Sequence, residues 1–135
     1  MERVLLGKIE IIERCVKRVT EKTKNGSACL LDDVDSQDVV VVNLQRACQA
    51  TIDIAIYVIR KKHLGLPQAS SEAFKILAKN KIISDALSED LQKMVGFRNI
   101  AVHEYQELDM NIVKSIVDHK LDNFSDFTKV IVKLL

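Results

Sequence analysis

Several residue types that mark other classes of protein are scarce in this chain. Its 135 residues include one proline, four glycines, two tyrosines and no tryptophan. So few turn-forming residues argue against a sandwich of many short strands, whereas the abundance of Leu, Ile, Val, Ala, Lys and Glu favours long helices. Hydrophobic residues make up 47% of the chain and no shift in composition divides it, so the sequence predicts one all-α domain covering residues 1–135.

Cysteine is scarce too, and its spacing lacks the patterns that bind metals. Cys15, Cys29 and Cys48 are odd in number and form no CxxC pair, which argues against a disulfide framework and against a zinc site. We expect reduced, mostly buried thiols. The acidic residues between positions 32 and 35 precede a predicted helix, and their charge suits the helix dipole in a solvated loop. No metal and no cofactor are therefore expected.

An excess of charge of one sign is absent as well. The net charge is +1, so the chain lacks the broad basic field that wraps nucleic acid, and any nucleic-acid chemistry must be local. Charged residues such as Glu2, Arg3 and Lys8 interrupt the apolar start, unlike a signal peptide, and no other stretch approaches the length of a membrane span. We expect a cytoplasmic protein that does not engage a membrane.

Hydrophobic residues recur at steps of three and four along five segments, the pattern of amphipathic helices. The predicted helices cover residues 2–25, 37–63, 70–80 and 89–105, and a last helix runs from residue 110 toward the C-terminus. Glycine, alone or with proline, ends the first two. The candidate N-caps are Ser36, Ser70 or Ser71, Ser84 or Ser88, and Asp109. Helices joined by short connections predict an up-and-down bundle of about five helices.

A polar stripe crosses one face of the second long helix. It consists of Arg46, Gln49, Asp53 and Tyr57, at steps of three and four residues. Two interpretations are open at this point: an ordinary solvated face, and a face that lines a shared site. In the second interpretation, Asp53 is a supporting group of that site.

The most informative residues stand at the end of the fourth predicted helix. Arg98 is followed five positions later by His103, and Tyr105 comes two positions after that. A guanidinium holds phosphate through a planar fork of donors, and an imidazole can move protons near neutral pH. Together they can act on a phosphodiester without a metal. His63 and His119 have no such context and are assigned to structure or surface.

A single straight helix does not bring these groups together. At about 100° per residue, Asn99, His103 and Tyr105 point about 100°, 140° and −20° away from Arg98. Arg98 therefore faces the same way as Tyr105, and Asn99 the same way as His103. A twofold dimer places the same patch of both subunits face to face, so two copies of these residues could line one cleft. We accordingly expect a homodimer.

The segment FRNIAVHEY, which contains this motif, resembles the signature of HEPN-domain proteins. The tyrosine two residues after the histidine is similar to the HepT toxin branch. LQRACQATIDIA in the second long helix is also similar to that branch, so the likeness covers nearly the whole chain. The resemblance implies a homodimeric, metal-independent endoribonuclease toxin of a type VII-like toxin–antitoxin pair. It also implies a partner, a minimal nucleotidyltransferase (MNT) antitoxin that silences the toxin by attaching AMP to a tyrosine.

Carried over to this sequence, the resemblance makes Arg98 and His103 catalytic, Asn99 a supporting polar group and Tyr105 the site of AMP attachment. RNA supplies its own nucleophile, the 2′-hydroxyl. His103 can then act as base or acid, and Arg98 can supply fixed donors where charge develops on the phosphoryl oxygens. The alternative is a non-catalytic helical module that binds nucleotide or a nucleotidyltransferase, with Arg98 and Tyr105 contacting phosphate and base.

Overall fold

The computed structural model describes residues 2–134, and the regular structure in that range is entirely helical. Two 3-10 turns, Ser27–Leu31 and Tyr105–Glu107, follow the first and fourth α-helices. The all-α prediction is confirmed. The six α-helices of this range are α1 (Glu2–Lys22), α2 (Val34–Lys61), α3 (Ser70–Lys79), α4 (Asp85–His103), α5 (Met110–His119) and α6 (Asp122–Leu134).

The long helix α2 lies at the centre of the bundle. α1 packs along it, and α3, α4 and α6 also contact it. By length and composition alone α2 could cross a membrane, contrary to the expectation that no stretch approaches that length. However, 61% of its apolar window is buried inside the fold. Its hydrophobic character therefore reflects its position among the other helices, where Leu44, Ile52 and Ile59 are fully buried.

Buried contacts join α3 to α6 and to α4, the helix that carries the Arg–His motif. The rings of Phe74 on α3 and Phe127 on α6 meet edge to face, with centroids 6.0 Å apart and an interplanar angle of 78°. The buried hydroxyl of Ser88 on α4 donates to the backbone oxygen of Phe74 at 3.0 Å. A satisfied buried hydroxyl fixes the position of α4 on α3 more specifically than apolar packing alone.

Two of the candidate caps are confirmed. The Oγ of Ser84 accepts a hydrogen bond from the backbone N–H of Leu87 at the start of α4, at 3.1 Å. The carboxylate of Asp109 accepts from the backbone N–H of Asn111 at the start of α5, at 2.8 Å. Each cap satisfies one of the donors that a helix N-terminus leaves without an internal partner.

Two other candidate caps are wrong by a few positions. α2 begins at Val34 with Asp33 at the N-cap position, and Ser36 lies inside the helix, where its hydroxyl donates to the Asp33 carboxylate at 2.6 Å. This hydrogen bond is the main reason that the pKa of Asp33 is lowered. At α3 the cap position is Ala69, and Ser70 is the first helical residue.

The last predicted helix is in fact two helices. α5 ends at His119 and α6 begins at Asp122, and the turn between them contains neither glycine nor proline. α5 packs on the 3-10 turn Ser27–Leu31, where the Ser27 hydroxyl donates to the Asp118 carboxylate at 2.6 Å. α6 instead packs against α1, α2 and α4. The break redirects the chain so that each half buries its apolar side against different elements.

Candidate active site

α4 carries the motif on its last two turns. Its final helical residue is His103, and the backbone N–H of Glu104 still bonds to the oxygen of Ile100 at 2.8 Å before the chain turns away. Tyr105 then begins a separate 3-10 turn. The predicted helix, 89–105, therefore begins four residues too late and ends two residues too far along the chain. The projection that placed Tyr105 beside Arg98 does not apply beyond the helix end.

Arg98 is directed into the fold. Its half-buried side chain donates from Nη2 to the Ser70 hydroxyl at 3.2 Å, and its Nε is buried without a hydrogen-bond partner among residues 2–134. Burial raises the pKa of the Cys48 thiol to about 12, and the nearby Arg98 charge opposes that increase. The guanidinium therefore lies where α2, α3 and α4 meet.

His103 and Asn99 lie on the exposed side of α4. Among the residues described, neither side chain has a hydrogen-bond partner or an ion pair. Asn99 and His103 are four positions apart and share a face of the helix, as predicted. Arg98 is tied to α3 and His103 is exposed at the helix C-terminus, so a single chain shows no contact between the two groups.

Tyr105 is anchored to the start of α2. Its hydroxyl donates to the Asp38 carboxylate at 2.6 Å, and the side chain remains 40% exposed. The pKa of Tyr105 is raised to about 12, chiefly by desolvation and further by the hydrogen bond and negative charge of Asp38. Asp38 was not a candidate from the sequence because it lies 67 positions from Tyr105 and belongs to no local motif.

Asp53 does not join the Arg98 site within one chain. Its carboxylate forms an ion pair with Lys8 of α1 and accepts from Gln49, both at 2.9 Å. On α2, Asp53 points about 140° away from Cys48, the residue near Arg98. The polar stripe of α2 therefore lies in two different environments. Three of its residues, Arg46, Gln49 and Asp53, line a groove beside α1. The fourth residue, Tyr57, instead has a buried hydroxyl that lacks a hydrogen-bond partner among the described residues.

Candidate metal ligands do not gather around the motif. Among residues 2–134, no group of three or more His, Cys, Asp or Glu side chains is placed to hold a metal ion. The groups near the motif are instead a guanidinium, an imidazole, an amide and a phenol. This set can bind a phosphodiester, stabilise negative charge on its oxygens and transfer protons.

The all-helical fold of this chain matches that of HEPN toxins among the solved structures. The family model described as "Ribonuclease HepT-like" matches residues 9–131, and the chain belongs to this HepT-like family. It is 47% identical over 131 residues to the mRNA nuclease HepT of Shewanella oneidensis, covering 97% of this chain and 98% of that protein.

Two further matches agree with this assignment. The tRNA nuclease HepT of Aphanizomenon flos-aquae is 27% identical over 128 residues, covering 95% of this chain and 87% of that protein. A solved structure of a tri-AMPylated HEPN toxin of Shewanella oneidensis in complex with an MNT antitoxin has a TM-score of 0.92 and 46% sequence identity. The match covers 98% of this chain and 99% of that one.

The predicted family and enzyme class are confirmed by these matches. They favour a ribonuclease over the non-catalytic binding module that the sequence left as an alternative. The roles of Arg98, His103, Asn99, Asp53 and Tyr105 remain predictions.

Proposed function

We propose that this chain is the toxin of a toxin–antitoxin pair and cleaves RNA without a metal ion, in a composite site that forms between two subunits of a homodimer in the cytoplasm. The observation that carries the proposal is the separation of Arg98 from His103 within one chain. Arg98 reaches inward to Ser70, whereas His103 is exposed at the end of α4. In a twofold dimer with the two α4 helices near the axis, one subunit can supply Arg98 and the other His103 to the same site.

The proposed reaction uses the 2′-hydroxyl of RNA as its nucleophile. One His103 accepts the hydroxyl proton while the oxygen attacks the adjacent phosphorus, and the 5′-oxygen of the next nucleotide leaves. That leaving oxygen takes a proton from solvent water, and the protonated His103 returns its proton to the hydroxide that remains, so the products are a 2′,3′-cyclic phosphate and a 5′-hydroxyl. Arg98 supplies fixed donors to the non-bridging oxygens. Asn99, on the same face as His103, orients the substrate.

Arg98→Ala and His103→Ala test the assignment directly. Loss of one fixed electrostatic donor costs about a hundredfold to a thousandfold in rate, and loss of a general base costs about a hundredfold to ten-thousandfold. Each variant should therefore lose RNA cleavage by about these factors and no longer arrest growth. The matched controls are Arg60→Ala and His119→Ala, which remove exposed side chains of the same types outside the motif. Helical content by circular dichroism should be equal in all four variants.

Full activity in either motif variant would contradict the proposal, and so would equal losses in the controls. Chelation of divalent metal should leave cleavage unchanged, because the proposed reaction uses only side chains and the RNA hydroxyl. Cleavage that stops in EDTA and returns with added metal would refute the metal-independent mechanism.

We further propose that Tyr105 is the residue that an MNT antitoxin modifies with AMP. The support is the partly exposed phenol on the turn directly after α4, together with the AMPylated state of the similar toxin. The phenol oxygen would attack the α-phosphate of ATP, pyrophosphate would leave, and the phenol proton would pass to the Asp38 carboxylate. The added phosphate would bring negative charge to the end of α4 and repel RNA.

Intact-mass spectrometry after co-expression with the MNT partner tests this assignment. The natural chain should gain the mass of one or more AMP groups, whereas Tyr105→Phe should gain none and escape neutralisation while it still cleaves RNA. Tyr57→Phe, the other tyrosine variant, should be modified normally. Modification and neutralisation of Tyr105→Phe would place the regulatory site elsewhere.

A further inference from the structure

A second charged feature lies away from the motif, in a groove between α1 and α2 with a volume of about 320 Å³. We call it the α1–α2 groove. Three of the six arginines in the chain line it, although the net charge of the whole chain is only +1. The polar side chains that line it are Lys8, Arg14, Arg18, Arg46, Gln49 and Asp53.

The groove contains more positive charge than its own carboxylate neutralises. Asp53 is engaged by Lys8, and Arg14 forms an exposed ion pair with Glu10 outside the groove. Arg18 and Arg46 have no carboxylate partner among the described residues. Four cationic side chains thus face one carboxylate, and two guanidiniums, one from each helix, keep all their donors free for a ligand.

The guanidiniums converge on one region rather than spreading along the two helices. Burial raises the pKa of the Cys15 thiol, while the charges of Arg46, Arg18 and Arg14 each oppose that increase. One sulfur atom at the base of the groove therefore lies within the electrostatic reach of three guanidiniums from two helices. Cys15 itself is 4% exposed and is not a ligand.

We infer that the α1–α2 groove binds backbone phosphates of the RNA substrate, an inference that rests on the proposed ribonuclease function. A guanidinium holds a phosphate oxygen pair with two parallel donors, and Gln49 adds an amide donor. No aromatic ring lines the groove, so it has no platform for base stacking. It therefore contacts the backbone and not the bases, and binding there is independent of sequence.

The groove lies about one helix diameter from Arg98, across α2. Arg46 precedes Cys48 by two residues on α2, and Cys48 is close to Arg98 on the opposite side of that helix. A helix with its side chains is about 10 Å wide, which a few nucleotides span. RNA held in the groove is thereby retained close to the site where the motif acts.

The test measures binding of the full-length protein to a short, fluorescently labelled 2′-O-methyl RNA, which lacks the attacking hydroxyl and cannot be cleaved. Each phosphate contact adds about 0.7 to the slope of log affinity against log salt concentration for a single strand. Loss of one or two contacts in Arg18→Gln/Arg46→Gln should make the slope shallower by about 0.7 to 1.4. Between 50 and 200 mM salt, natural-chain binding should then weaken about three- to sevenfold more than binding of the double variant.

Two controls separate local contact from overall charge. Arg60→Gln removes an exposed arginine of α2 that lies about 21 Å along the helix from Arg46, and its slope should equal that of the natural chain. Arg18→Lys/Arg46→Lys keeps both charges and should restore most of the slope. Circular dichroism of each variant verifies that it is folded.

Two outcomes overturn the inference: a slope unchanged in Arg18→Gln/Arg46→Gln, and a slope that Arg60→Gln reduces equally. The Arg98 and His103 variants are assayed separately for cleavage of unmodified RNA. If those variants still cleave, the proposed active site fails while the salt dependence still decides whether the groove binds RNA.

Discussion

At the scale of single residues, two side chains of the motif are held by partners that are distant in the chain. Ser70 holds Arg98, and Asp38 holds Tyr105. The sequence was sufficient to single out Arg98, His103 and Tyr105, because their spacing is local. It could not reveal Ser70 and Asp38 as their partners, because those contacts exist only after α2, α3 and α4 have packed together.

The environment of Tyr105 predicts how the stability of the fold depends on pH. The pKa of Tyr105 is raised to about 12, whereas a free tyrosine titrates near 10. Because desolvation, and further the contact with Asp38, make the folded state hold the phenol proton more tightly, the neutral phenol favours the fold fully below about pH 10 and this contribution is lost as the pH rises through about 12. Tyr105 is 40% exposed, so solvent screening keeps the contribution small.

Ultraviolet absorbance of the phenolate measures this shift. In a Tyr57→Phe background Tyr105 is the single tyrosine, and Asp38→Asn should move its midpoint down toward the ordinary value because the negative charge is lost. Glu107→Gln, an exposed charge change on the same turn, is the control and should move it much less. Equal midpoints with and without the Asp38 carboxylate would refute the proposed cause.

At the scale of elements, the cap of α4 was among the predicted candidates, although the helix begins four residues before the predicted start, and the division of the last helix was not predicted. Ser84 is a hydroxyl residue immediately before a periodic apolar segment, and it caps α4 as expected. The break between α5 and α6 has no glycine or proline to mark it. It arises because α5 and α6 pack on different parts of the bundle, which a local pattern does not encode.

The Ser84 cap predicts a measurable loss of stability. Ser84→Ala removes the acceptor of the Leu87 N–H and should lower the free energy of unfolding by about 1 kcal/mol, whereas Ser84→Gly should cost only a few tenths. Urea unfolding followed by circular dichroism gives the values. Ser115→Ala, at an exposed position of α5, should be close to neutral, and a Ser84→Ala loss no larger than that of Ser115→Ala would show that the cap contributes nothing.

At the scale of the whole molecule, a composite site predicts that inactive subunits can complement one another. When equal amounts of Arg98→Ala and His103→Ala subunits exchange, about half of the dimers are mixed, and each mixed dimer holds one site with both an intact Arg98 and an intact His103. Cleavage should recover to about a quarter of the natural rate. Light scattering should show dimers for both variants.

A control mixture of Arg98→Ala with the double variant Arg98→Ala/His103→Ala contains no intact Arg98 and should remain inactive. The absence of recovery in the first mixture, despite demonstrated subunit exchange, would place the whole site within one subunit. A chain that is monomeric and fully active at micromolar concentration would also exclude the composite site.

The sequence by itself determined the helical class, most helix ends to within four residues and the Arg–His–Tyr motif, because hydrophobic periodicity, caps and motif spacing are properties of neighbouring residues. Only the tertiary structure decided where Asp53 lies, which carboxylate holds Tyr105, where the last helix breaks and that three arginines share one groove. Lys8 and Asp53 are 45 positions apart, and Asp38 and Tyr105 are 67 apart. Such pairs meet because burial of apolar helix faces brings distant segments together, and the sequence pattern of one segment does not specify which face of another it will meet.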